Sequence, residues 1–205
     1  MKPEGLILAG GSGRRMGGPK ALLPFRGVPL LVRTAEVLRP LCAVVRVATR
    51  REFRPLLERF GLPILLDEDE PFPLPGPLAG LHAGCRASDG VACLLAVATD
   101  HPFLSAALLS EEIRLALEGP FDAVLPGPAP RLEPLHAVYR PRAIAAAARE
   151  AAAAGRASLH EMLLSPSLAV RYVGRDERRR FDPEDRSLVN VNSREDLERA
   201  ESLFP

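Results

Sequence analysis

The chain has 205 residues, of which 47% are apolar, 26% charged and 5% aromatic, with a formal net charge of +1. That length suits one domain with an ordinary core. The charge balance argues against a nucleic-acid binder, and the scarcity of aromatic residues leaves no stacking platform for single strands. Cys42, Cys85 and Cys93 form no C-x-x-C pair and read as reduced thiols in the cytoplasm. No charged-then-apolar leader and no apolar run of membrane-spanning length is seen, so no membrane association is expected.

Residues 6–9 (LILA) have the length and apolarity of a buried strand, and a glycine-rich loop follows. Helical spacing covers residues 29–38, with Pro29 suited to a first turn, and the β-branched run 43–49 is a second strand. A short amphipathic helix over 52–60 ends at Gly61, and the strand 63–66 delivers Asp67. This β-α-β-α-β order predicts a parallel sheet covered by helices. Pro71, Pro73, Pro75 and Pro77 then block both ladder and helix.

A helix over 78–88 precedes the most apolar strand, 91–98, which ends in Thr99-Asp100-His101-Pro102. Beyond it come a helix over 106–118, a strand over 121–125, a surface excursion over 126–134 and a strand over 135–139. An Ala-rich helix spans 144–154, and Ser158 caps another through Leu164, with Glu161 placed for a capping box. A strand over 168–173, a charge-dense stretch over 175–186 and a helix capped by Ser193, with Glu195 and Asp196 in its first turn, complete the order. The expectation is one domain, residues 1–205, folded as a three-layer α/β/α sandwich around a mostly parallel, Rossmann-like sheet.

Chemistry concentrates in residues 6–23, LILAGGSGRRMGGPKALL. Gly10, Gly11, Gly13, Gly17 and Gly18 allow positive φ and close backbone approach to a ligand, while Arg14, Arg15 and Lys20 bring charge for phosphate oxygens. A P-loop is excluded because Lys20 stands between Pro19 and Ala21, and a dinucleotide fingerprint because Gly11-Ser12-Gly13-Arg14-Arg15 ends in Met16. Lysine occurs only at Lys2 and Lys20, so a chain that otherwise uses arginine keeps a compact ammonium in this loop. Ligands of an open parallel sheet sit outside the carboxyl ends of its strands. Asp100, at such an end, is therefore the candidate Mg²⁺ ligand, one carboxylate being enough when phosphates supply the rest. His101 beside it invites a general-base role, but transfer at a phosphate rests largely on positioning and charge neutralisation.

The stretch resembles the nucleotidyltransferase signature L-A-[GA]-G-x-[SG]-x-R-M-G-x-x-K. With Gly10-Gly11 after Leu8-Ala9, it is most similar to the molybdenum cofactor guanylyltransferases, the MobA family. Four later segments extend the likeness: Gly76-Pro77-Leu78-Ala79-Gly80, Thr99-Asp100-His101-Pro102 (family C-D-x-P), Pro134-Leu135 with Tyr139, and Asn190-Val191-Asn192-Ser193 with Asp196-Leu197 (family N-v-N-t-p-e-D-L). It departs at Pro19, where the family often has aspartate, and at Thr99, where it has cysteine.

The resemblance implies the nucleotidyltransferase fold and transfer of GMP from GTP to molybdopterin (or its molybdenum complex) with release of pyrophosphate. It implies Mg²⁺ on Asp100, Lys20 and Arg15 as catalytic cations, and nucleotide contacts from Leu8, Ala9, Gly10, Gly11, Lys20, Asp67 and Asp100. Spacing to the glycine would place the Asp67 role on Asp69, whereas position at the strand end favours Asp67, which is chosen. Asn190 and Asn192 touch the cofactor substrate or else form a turn and helix cap. The RDERRR run, residues 175–180, reads as a solvated loop in preference to a pterin-phosphate site, and the segment of Pro134, Leu135 and Tyr139 as structural, with substrate contact as the alternative. Transient contact with molybdoenzyme-maturation proteins is expected as well. The rival readings are a CTP- or UTP-dependent nucleotidyltransferase acting on molybdopterin or a sugar or alditol phosphate, and a non-catalytic cofactor-binding chaperone.

Overall fold

A computed structural model describes residues 2–13, 18–67, 72, 74–127 and 132–203. The elements in order are β1 (Glu4–Leu8), β2 (Pro24–Phe25), β3 (Val28–Pro29), α1 (Leu30–Leu38), β4 (Val45–Thr49), α2 (Arg54–Leu57) and β5 (Ile64–Leu66). Next come α3 (Pro77–Ala87), β6 (Leu94–Ala98), α4 (Ala106–Glu118), β7 (Ala123–Pro126) and β8 (His136–Tyr139). The chain closes with α5 (Pro141–Ala153), α6 (Leu159–Leu163), β9 (Val170–Val173), α7 (Arg175–Arg178) and α8 (Arg194–Ser202). Short 3₁₀ turns flank α2, so the stretch expected as one helix over 52–60 is helical in three pieces that end at Gly61 with φ +68°.

Seven strands form one sheet in the order β5-β4-β1-β6-β8-β7-β9. Every pair is parallel except the two made by β8, which runs against both β6 and β7. The mostly parallel α/β sheet expected from the alternating pattern is therefore present. Consecutive strand residues serve opposite faces, as a period of two requires. Ile7, Leu95, Val97, Val124 and Val138 pack with Leu31 and Leu38 of α1 and Leu108 and Leu109 of α4. Leu6, Leu94, Ala96, Leu125 and Tyr139 pack on the other side with Leu78 and Leu81 of α3, Ile144 of α5 and Met162 of α6. Each fully buried leucine or isoleucine here contributes on the order of 1.5–3 kcal/mol relative to exposure.

The small hairpin of β2 and β3 has no counterpart in the sequence reading, because two-residue strands carry no periodicity. Its turn, Arg26-Gly27, has positive φ at both positions, 50° and 78°, which suits a tight antiparallel connection. Phe25 is fully buried there with Leu30, Val191 and Ala200, so the hairpin docks the C-terminal segment. The charge-dense stretch is likewise helical where a loop was expected, although Arg175, Asp176, Arg179 and Arg180 are exposed as a solvated run requires. It contains α7, and Arg178 is buried, with Nε and Nη2 donating to Asp185 at 3.0 and 3.2 Å and Nη1 to the Val173 carbonyl at 2.9 Å. A guanidinium fully supplied with acceptors in this way is a structural staple. Ser158 accepts from the Glu161 amide as expected, but the reciprocal capping box forms instead at Ser193 and Asp196.

The helix α3 lies against β1 because Gly84 has no side chain. A Cβ at Gly84 would stand 2.3 Å from Leu6 Cδ2, in a fully buried setting, whereas one at Gly80 would meet Leu8 at 3.3 Å. Gly84→Ala should cost about 1–3 kcal/mol by overpacking. Thermal melts should place its midpoint several degrees below that of Gly80→Ala, and equal midpoints would contradict this packing.

Cys42, Cys85 and Cys93 are buried and carry free thiols. Burial pushes Cys42 up to about 12 and Cys93 up to about 11, and it raises Cys85 further. The folded protein should therefore resist iodoacetamide at about pH 8 and label at all three thiols in denaturant, because the thiolate is the reactive form. Mass spectrometry reads the result, and rapid labelling of the native state would refute it. Among the described residues, no helix is long and apolar enough to cross a membrane.

Candidate active site

Strand order reverses at β1, which pairs with β4 on one side and β6 on the other. The crevice above that point is where an open α/β sheet takes its ligand, and both chemical segments lead into it. The loop after β1 is tied to the sheet at its root: the Ala9 amide donates to the Ala48 carbonyl at 2.8 Å, and Thr49 Oγ1 donates to the Ala9 carbonyl at 3.3 Å. Further on, the Lys20 amide donates to Gly11 O at 3.2 Å and the Gly18 amide to Gly13 O at 3.5 Å. Gly13 has φ +53°, and a Cβ there would lie 1.9 Å from the Gly18 carbonyl oxygen. No rotamer relieves a clash with backbone. Gly13→Ala should therefore weaken ligand binding at this loop by at least about tenfold, read by calorimetry, while the melting midpoint, set by the sheet, moves little.

Leu8, Gly10, Gly11, Lys20, Asp67 and Asp100 all line one cleft of about 200 Å³. Gly10 and Gly11 border Asp67 and Lys20 across this space: a Cβ on Gly10 would stand 3.8 Å from Asp67 Oδ2 and one on Gly11 3.6 Å from the Lys20 stem, both ordinary contact distances. Ala9 does not face this space. It is buried, with amide and carbonyl both engaged inside the fold, so it anchors the loop. Arg15 and Asp69 lie outside the described residues. Arg50, Gly76 and Pro77 also line the cleft. Arg50 escaped the sequence reading, although its place directly after the strand at 45–49 was a signal equal to that of Asp67.

Lys20 and Asp100 meet across the cleft mouth, Nζ to Oδ2 at 3.2 Å, each side chain 21% exposed. Nζ also donates to Asn192 Oδ1 at 2.5 Å. Asn190 lies elsewhere, in an adjoining cleft of about 320 Å³ with His101, Glu133, Leu135, Ser158 and His160. The two clefts share Pro77, Ala98, Asp100 and Leu135, so Asp100 stands at their junction. Its position there follows from β6 lying beside β1, and the Val191 amide fixes it from the C-terminal side by donating to Asp100 O at 2.9 Å.

His101 is buried, and its Nδ1 faces the Ser187 carbonyl at 3.1 Å. Nε2 lies 4.0 Å from both Asp100 Oδ1 and Glu133 Oε2. Burial outweighs the pull of Asp100 and lowers this imidazole to about 4, so it is neutral near neutral pH with Nδ1–H given to Ser187. Behind it, His136 and Glu112 form a fully buried pair, Nε2 to Oε2 3.4 Å, and burial holds the Glu112 carboxyl above the usual range. Tyr139 is fully buried and donates its hydroxyl to Pro134 O at 2.5 Å, which makes it structural.

A switch-point crevice with a glycine loop on one strand and a carboxylate on the next defines an α/β protein built to handle nucleoside phosphates. Residues 5–168 match the family model for the MobA-like NTP transferase domain. The chain belongs to that family. It is 36% identical to the molybdenum cofactor guanylyltransferase of Cereibacter sphaeroides, over 100% of this chain and 98% of that one. It is 31% identical to the probable molybdenum cofactor guanylyltransferase of Bacillus licheniformis over the full length of both. Among solved structures, the molybdopterin-guanine dinucleotide biosynthesis protein A of Archaeoglobus fulgidus superposes with a TM-score of 0.83 at 28% identity, covering 97% of each chain. The 2-C-methyl-D-erythritol 4-phosphate cytidylyltransferase of Thermus thermophilus shares the fold, with a TM-score of 0.70 at 21% identity over 99% of this chain and 98% of that one.

Proposed function

We propose that the chain is a molybdenum cofactor guanylyltransferase that transfers GMP from GTP to molybdopterin, forming the guanine dinucleotide cofactor and releasing pyrophosphate. Relatives so named align with the whole chain. The observation that carries the mechanism is the junction: Asp100, paired with Lys20 of the glycine-lined cleft, stands where that cleft meets a second, larger one. GTP belongs in the first and the acceptor in the second, so that an acceptor phosphate oxygen can approach the α-phosphorus in line. One P–O bond forms there, and the bond to the β-phosphate breaks, with pyrophosphate carrying off the electron pair.

Asp100 suits a divalent cation. It is a half-exposed carboxylate at the junction, and among the described residues no group of three His, Cys, Asp or Glu side chains gathers into a self-sufficient site. A single carboxylate completed by phosphate and water oxygens is how Mg²⁺ is usually held. Bound there, Mg²⁺ would offset the charge that builds on the leaving pyrophosphate. The backbone around Leu8, Gly10 and Gly11 receives the nucleotide, and Asp67 contacts it from the end of β5. Lys20, with Arg15, neutralises the triphosphate. Neutral His101 has no proton to accept from an anionic acceptor and serves to fix the loop through Ser187. Asn190 faces the acceptor cleft. The buried free thiols suit a reducing cytoplasm.

The test is a calorimetric titration with GTP, CTP and UTP, with and without Mg²⁺, followed by pyrophosphate release with molybdopterin as acceptor. Preference for GTP with Mg²⁺ and turnover on molybdopterin is the expected result. Selection of CTP or UTP would move the function to a pyrimidine relative, and binding without turnover would make the chain a cofactor-handling partner.

A further inference from the structure

An ammonium on a four-carbon stem has many rotamers, so holding it ready for a triphosphate needs restraint. In this structure the restraint comes from two oxygens of opposite character. Asp100 Oδ2 is anionic and 3.2 Å away, while Asn192 Oδ1 is neutral and 2.5 Å away, and the latter bond joins residues 172 positions apart. The neutral partner is itself braced. Asp196 Oδ2 accepts from the backbone amides of Asn192 and Ser193, both at 2.9 Å, and Ser193 Oγ accepts from the Asp196 amide at 3.0 Å. The Val191 amide on Asp100 O then locks this frame to the end of β6.

We propose that Asn192, braced by Asp196, is a positioning residue that holds Lys20 at the cleft mouth once Asp100 is engaged by the divalent cation. The inference rests on the guanylyltransferase reading for the identity of the substrates and for Asp100 as the cation's ligand. A carboxylate shared between an ammonium and a dication is claimed by the dication, and Lys20 would swing free without a second acceptor. An amide oxygen holds it without cancelling its charge, which leaves that charge for the phosphates. A carboxylate at residue 192 would keep the geometry and forfeit the charge.

The test is a double-mutant cycle with Lys20→Ala and Asn192→Ala, scored on kcat and on KM for GTP and molybdopterin. Asn192→Ala alone should lower kcat by about 10–100-fold with the molybdopterin KM nearly unchanged. In the Lys20→Ala background it should add less than about a twofold further loss. Asn192→Asp should bind GTP more weakly than wild type although it retains an acceptor oxygen. Additive losses in the cycle would overturn the proposal. So would a raised molybdopterin KM with kcat preserved, which marks an acceptor contact, or a shifted Mg²⁺ requirement that persists without Lys20, which marks a metal ligand. Should Asn192→Ala fail to fold, Asn192→Asp enters the same cycle. If wild type releases no pyrophosphate from GTP, the guanylyltransferase reading fails by itself. The cycle is then read on the affinity of whichever nucleotide binds, and additivity there would overturn the role of Asn192 independently.

Discussion

Asp100→Ala is expected to abolish Mg²⁺-dependent GTP binding and to lower turnover by on the order of 10³-fold or more. Among the described residues, Asp100 is the carboxylate common to both clefts; Asp67 lines only the first and Glu133 only the second. The fold should survive the change. The partner left behind is Lys20, which is part-exposed and keeps Asn192, and the tie from Val191 uses the backbone of Asp100 and not its side chain. A part-buried ion pair whose cation keeps a second acceptor is worth on the order of 1 kcal/mol, so the melting midpoint should move by only a few degrees. Asp100→Asn separates charge from shape, since it still offers Lys20 an oxygen, and it should lose most of the activity too. If GTP binding to Asp100→Ala still depended on Mg²⁺, this aspartate would not be the metal ligand.

On the proposed mechanism, Lys20→Ala should cut kcat by about 10²–10⁴-fold and raise the KM for GTP less, because the ammonium would act most as charge builds on the leaving pyrophosphate. Lys20→Arg should not restore the rate. The gap between Asp100 Oδ2 and Asn192 Oδ1 holds one compact group with contacts of 3.2 and 2.5 Å, and a planar fork presents its donors along other directions. Steady-state kinetics with both substrates varied separates the two parameters. A near-normal kcat in Lys20→Ala would remove this residue from the mechanism.

Much of the molecule was legible from local signals. Alternating apolar runs and helical spacing marked the sheet strands and major helices to within a few residues, and the helix over 106–118 was read with the same bounds as α4. Glycine and proline marked the loop after β1, and an aspartate at the end of the most apolar strand marked the site. Each of these depends on residues close together in the chain, where steric freedom, capping and periodicity leave a direct trace in residue type. That the glycine loop and Asp100 would share one crevice was conditional until β1 and β6 proved to be neighbours.

The tertiary structure decided the rest. Only packing could insert β8 between β6 and β7 and reverse it, because strand pairing is set by contacts distant in sequence. The RDERRR run had the composition of a solvated loop, yet burial turned Arg178 into a staple on Asp185, a partner whose value depends on both groups leaving water together. Burial likewise decided the state of His101, which composition left free to act as a base. Asn192 read equally well as a ligand contact or a helix cap, and the folded chain shows its backbone braced by the capping residue Asp196 while its side chain reaches Lys20. Residue types thus determined which groups the site contains, while desolvation and long-range closure of the chain determined which of them meet and in what charge state.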